Sequence, residues 1–247
     1  MIDRQGPQYQ ELLKARYMHA LAIEMKSWTT ETGRDIATIP VEDILVKISS
    51  YFLERMRSGE VLFVGEGNLS FALNIAKRPS ITASRMTVTT YEEENHLSKV
   101  GQHNALALRR LGASVVPGVD ATNLEQRLFY RQFDTIVFQF PNVGSREPEE
   151  GRNPNFILVR DFLKSAAKHL RPDGQVLITA VDSPYYHGAF QFDEAAAAAG
   201  FSKPDTYCFD PSKLPGYTHT NTNNTDSAID GHDRFCTWVF SLKKGFY

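Results

Sequence analysis

VLFVGEGNLSFALNIA, residues 61–76, decides the fold. Its first four residues form an apolar run with strand character, broken by Gly65, Glu66 and Gly67. From Asn68 onward the apolar residues fall at helical spacing. A buried strand that passes through two glycines directly into a helix is the opening half of a βαβ unit. Glycine lets the backbone turn sharply there and approach a ligand closely. The first N–H groups of the following helix then face that ligand.

Working outward, the same alternation continues. Strands are expected over 60–64, 86–91, 114–116, 134–140, 174–181, 206–210 and 234–242, with helices over 69–77, 96–111, 122–130, 155–170 and 189–199. Only the polar stretch PGYTHTNTNNTDSAIDGHD separates the last two strands, so they pair antiparallel. The expected fold class is α/β, a mostly parallel Rossmann-like sheet with an antiparallel last strand. Upstream, residues 7–29 and 40–57 carry apolar residues at helical spacing. They divide the chain into an N-terminal helical extension, 1–58, and a Rossmann-like domain, 59–247. The extension suits a cap, a sheet cover or a homodimer contact.

Three loops at the strand ends form a candidate cofactor site. The first holds Gly65, Glu66, Gly67 and Asn68, with Ser70 where a dinucleotide fingerprint has its third glycine. A diphosphate needs the close helix approach that glycine permits, so the pattern favours S-adenosylmethionine over NAD or FAD. The second loop begins Tyr91-Glu92; a carboxylate directly off the second strand can accept both ribose hydroxyls. The third holds Asp120 and Ala121, where an acid can receive the adenine amino group or simply cap the next helix.

The fourth strand ends in Gln139-Phe140-Pro141-Asn142, beside the expected position of a transferable methyl. An amide and an aromatic ring there can align a planar nitrogen for in-line displacement. Two more segments offer rings and a histidine for substrate contact: Tyr185 with His187, and Tyr217 with His219. No His/Cys/Asp/Glu spacing indicates a metal site.

VGEGNLSFAL, TTYEEEN, GVDAT, FDTIVFQFPNVG, the helix from Asn155 to Leu170, and LPGYTH together resemble the 25S rRNA uridine-N3-methyltransferase family. The likeness spans about residues 60–242. It implies a class I methyltransferase fold, S-adenosylmethionine as cofactor, and N3 of a ribosomal RNA uridine as target. The loop from Gly65 to Ser70 would then hold the cofactor, Tyr91 and Glu92 its ribose, and Asp120-Ala121 its adenine. The family pattern has Asn-Phe-Pro-His where this chain has Gln139 to Asn142, and Asp where Glu92 stands. It also shows basic residues where this chain reads THTNTNN.

Composition narrows the alternatives. The net charge of −2 shows none of the strong basic excess usual in a dedicated RNA binder. No apolar stretch is long enough for a membrane helix, and the N-terminus lacks a signal-peptide layout. Two cysteines are too few for a disulfide framework. A cytoplasmic enzyme is the expectation, acting on RNA or, as the alternative, methylating N or O of a small molecule beneath a helix-and-loop lid. A non-catalytic nucleotide- or RNA-binding module is the third reading.

Overall fold

The computed structural model describes residues 53–145, 147–219, 229, 231–232 and 234–243. The first expected helix and nearly all of the second lie outside the described residues, as does the homodimer contact attributed to them. Residues 53–57 are helical and lead into the sheet.

Seven strands form one sheet: β1 (Val61–Val64), β2 (Met86–Thr89), β3 (Ser114–Val116), β4 (Phe133–Gln139), β5 (Leu170–Val181), β6 (Asp205–Cys208) and β7 (Phe235–Ser241). Their order is β3-β2-β1-β4-β5-β7-β6. β1 to β5 pair in parallel, while β7 runs antiparallel to both β5 and β6. The last strand therefore inserts between β5 and β6, and β6 forms the edge. All four residues of β1 and all four of β2 are buried, as a parallel sheet covered on both faces requires.

Side chains alternate between the two faces. Phe63, paired with Val137, meets helix α1 (Ser70–Ala76) through Phe71. Helix α2 (Lys99–Arg110), capped by the Ser98 hydroxyl, packs beside α1. Phe138, one residue on, meets α4 (Pro154–Ala167) through Phe162 on the opposite face. That second layer also holds the single turn α3 (Glu125–Leu128), α5 (Pro184–Phe190) and α6 (Phe192–Ala198).

Two expectations change. A single helix over 189–199 is in fact α5 and α6, meeting at Gln191, whose φ of 45° breaks the helical path. Ser183 caps α5 and Pro184 suits its first turn, so Tyr185 and His187 are helical rather than in a loop. The expected helix over 122–130 shrinks to a 3-10 turn, Ala121–Asn123, followed by α3.

Candidate active site

The three candidate loops lie at one edge of the sheet and are tied by backbone hydrogen bonds. Glu66 N–H donates to Thr89 O at 2.9 Å, joining the first loop to the second strand's end. Gly118 N–H donates to Glu92 O at 3.1 Å and Val119 N–H to Thr90 O at 2.9 Å, joining the second to the third. Gly65 has a φ of +64°, and a Cβ there would stand 2.6 Å from the Phe138 ring. Only glycine fits that turn. At Gly67, by contrast, nothing lies within 4 Å of a built Cβ.

Two of the first N–H groups of helix α1, those of Ser70 and Ala72, are taken by side chains rather than left for a ligand. Leu69 sits in the left-handed region and makes no side-chain cap. Asn68 Oδ1 instead accepts the Ser70 N–H at 3.0 Å, and Glu66 Oε2 accepts the Ala72 N–H at 3.1 Å. Burial pushes the Glu66 carboxyl up to about 7, with the Ala72 hydrogen bond opposing the shift.

The acidic turn after β2 separates into two kinds of residue. Glu93 pairs with Arg127 and Glu94 with Arg109. The exposed Glu92 carboxylate meets no described partner and stays available for hydroxyl groups, next to Tyr91, which is 70% exposed. Asp120 caps the 3-10 turn, its Oδ1 accepting from Thr122 N–H at 2.8 Å. Ala121 is buried behind it. The open space at Gly67 and the unpaired Glu92 carboxylate on a neighbouring loop suit a nucleoside with free ribose hydroxyls.

Residues 211–219 form a strap along α1 that sequence reading missed. Arg78 Nη2 donates to Lys213 O at 3.1 Å, and Asn74 Nδ2 donates to Pro215 O. Ser70 Oγ donates to Thr218 O at 2.8 Å and accepts the Thr218 N–H at 3.0 Å, while Asn68 Nδ2 also reaches Thr218 O. Ser70 and Asn74 are spaced four apart on one face of α1, and Arg78 follows just past its end. That polar stripe on an otherwise apolar helix was the available signal. Ser70 thus holds the strap, and Asn68 links strap and helix. Tyr217 packs against Phe71 at 5.3 Å between ring centroids. Burial and then the charge of Glu66 push the Tyr217 phenol well up.

The strap ends at the fourth candidate group. The His219 ring lies edge-on to Phe140 at 4.8 Å, and Phe140 also contacts Phe209 and Phe235. Phe140 has a φ of 50°, a conformation that costs a non-glycine residue about 1 kcal/mol or more. Its N–H donates to Thr179 O at 2.8 Å. Gln139 is 9% exposed, and neither Oε1 nor Nε2 has a partner in the described structure. Pro141 is buried, and Asn142 turns the chain outward by accepting the Gly144 N–H.

Tyr185 and His187 are drawn elsewhere. His187 Nε2 stands 2.9 Å from Asp182 Oδ1, and Arg234 donates to Asp182 Oδ2 at 2.8 Å. His187 packs on Trp238, which pairs with Ile178 on the Phe138 face, whereas Gln139 shares the Phe63 face. The structure therefore separates His187 from the Gln139 side of the sheet and brings Tyr217 and His219 to it. Among the described residues, no group of three or more His, Cys, Asp or Glu side chains is placed to hold a metal, and no helix is long and apolar enough to cross a membrane.

Residues 62–221, more than half the chain, match the family described as rRNA (uridine-N3-)-methyltransferase BTM5-like. Human ferredoxin-fold anticodon-binding domain-containing protein 1 is 30% identical over 188 residues, covering 70% of this chain and 30% of that protein. Its mouse homolog is 32% identical over 182 residues, covering 67% and 28%. The chain thus spans about 30% of the length of these curated relatives. In fold it is similar to the N-methyltransferase NodS of Bradyrhizobium japonicum WM9, with a TM-score of 0.51 at 12% identity over 82% of this chain and 96% of that one. The chain belongs to the rRNA (uridine-N3-)-methyltransferase BTM5-like family, has the Rossmann-like methyltransferase fold, and has S-adenosylmethionine as its expected cofactor.

Proposed function

We propose that the chain transfers the methyl group of S-adenosylmethionine to a ring nitrogen of uridine in ribosomal RNA, with Gln139 holding the base. The observation that carries this reading is the buried Gln139 amide with both polar atoms free. A buried, unpaired amide costs about 1–3 kcal/mol, so it is retained where a ligand completes it.

When bound, the cofactor supplies a methyl group on a positively charged sulfur. The chain's part is to present a flat nucleophile in line and to manage its proton. Uracil carries a carbonyl on each side of N3. As N3 loses its proton, negative charge spreads onto those oxygens, and the fixed Gln139 Nε2–H donor stabilises it where it develops. Phe140 and Tyr217 supply ring surfaces for a base, and His219 is the group on this side suited to accept the N3 proton. Glu92 and Asp120 hold the ribose and adenine of the donor, in the space beside Gly67.

The relatives' names and the family description support RNA as the substrate class, and the net charge of −2 favours a small molecule. The test is methyl transfer to unmodified ribosomal RNA and to free uridine, read by mass spectrometry of the nucleosides. N3-methyluridine in the RNA is the expected product. Gln139→Leu should lower kcat by about 100-fold with donor affinity unchanged. Equal efficiency on free uridine would move the reading to a small-molecule enzyme. Donor binding without transfer to either substrate would leave a non-catalytic binding module.

A further inference from the structure

Glu66 is a buried titratable group that neither the fold nor the reaction above accounts for. It sits between the two glycines of the first loop and is 6% exposed. Its Oε2 accepts the Ala72 N–H, and Oε1 has no hydrogen-bond partner among the described residues. Capping that N–H needs only a neutral acceptor, which an amide would supply without the cost of a buried charge. Helix α1, on one side of the carboxyl, contains no charged residue. Of the strap's titratable residues, Lys213, Tyr217 and His219, it is the Tyr217 phenol that feels the Glu66 charge, and it is neutral near pH 7. Against burial, the ionised Glu66 has the Ala72 N–H, and no cationic side chain is paired with it among the described residues. The backbone beside it at Gly67 opens onto free space.

A buried carboxylate in the loop that borders the open space at Gly67, with no cationic partner among the described residues, matches a ligand that brings the cation. We propose that Glu66 is the counter-charge for a cationic centre of the bound methyl donor, its sulfonium or its amino-acid ammonium. The loop then reads positive charge as well as shape. The inference rests on the S-adenosylmethionine reading and adds to it a specific partner for the donor's charge. Entry of the cation favours ionised Glu66, and the carboxyl proton passes to solvent. Because burial, opposed by the Ala72 hydrogen bond, holds Glu66 at about 7, donor binding below pH 7 releases a proton, and binding near pH 9 releases none from this group.

Three nucleosides separate the possible cations. S-adenosylmethionine carries both, S-adenosylhomocysteine carries the ammonium alone, and 5′-methylthioadenosine carries neither. Calorimetric titration of the full chain and of Glu66→Gln at pH 8 compares them; glutamine keeps an acceptor for Ala72 N–H. The expected result is a loss of about tenfold or more for S-adenosylmethionine, with 5′-methylthioadenosine within about twofold of the parent. S-adenosylhomocysteine weakened alongside the donor identifies the ammonium; unchanged, it identifies the sulfonium. Equal losses for all three nucleosides make Glu66 a helix cap only and overturn the proposal. A second measurement needs no variant. In buffers of different ionisation enthalpy at pH 6.5, the parent should release part of a proton with S-adenosylmethionine and none with 5′-methylthioadenosine. No release with the donor overturns the proposal even if the variant fails to fold. A folded parent that binds none of the three removes the donor reading itself, a different failure from tight binding without charge dependence.

Discussion

Two segments of this chain look alike as sequence and end in different places. Asp182 to His187 and Leu214 to His219 each follow a strand, each carry tyrosine, and each end in histidine. The first winds into α5 against the Phe138 face; the second turns at Pro215-Gly216 and lies as the strap on the Phe63 face. What separates them is which buried group needs their polar atoms. The Asp182 side chain is almost wholly buried and takes both Arg234 and His187 as partners. In the strap, backbone carbonyls left without partners of their own find Ser70, Asn74 and Arg78.

The largest expected effect tests the loop beneath the strap. Gly67→Arg enters open space, so the fold should survive, while S-adenosylmethionine affinity should fall by about 1000-fold, or about 4 kcal/mol. Unchanged affinity would place the donor elsewhere. The next test addresses the other segment. Asp182→Ala removes the buried carboxylate that Arg234 and His187 share and should cost about 2 kcal/mol of stability in urea unfolding. Partial exposure of Arg234 and His187 keeps this below the value for a fully buried pair.

The paired histidines sharpen the comparison directly. His219→Ala should lower kcat/KM by about tenfold and His187→Ala by less than twofold. The reverse ranking would put the chemistry on the α5 side. The smallest effect concerns the clamp: Ser70→Ala should cost about 1 kcal/mol and speed hydrogen exchange at the Thr218 amide. Protection at Thr218 equal to the parent's would mean that the strap is held without Ser70.

Much of the fold was legible because parallel strands buried on both faces must read as apolar runs, and residues 61–64 and 136–138 do so. The strand-glycine-helix junction at Gly65 was equally plain, since Phe138 leaves no room for a side chain there. Element boundaries were less legible. The break at Gln191 depends on one backbone angle, and nothing in QFDEAAAA announces it. Within the site, Glu92 could be singled out by its place directly off β2. Its freedom could not, because Arg109 and Arg127, which occupy Glu94 and Glu93, lie 15 and 34 residues away in sequence.

The sequence by itself determined the alternation of strand and helix, the glycine turn, and the order of the loops that reach one edge of the sheet. These follow from local backbone preference and from the period of the apolar residues, which act over a few residues at a time. Only the tertiary structure decided that Gln139 keeps a free amide, that Glu66 is buried without a cation, and that Ser70 holds Thr218 across 148 residues of chain. Hydrogen-bond satisfaction and desolvation depend on everything that packs around a group, and such neighbours are assembled only when the chain folds.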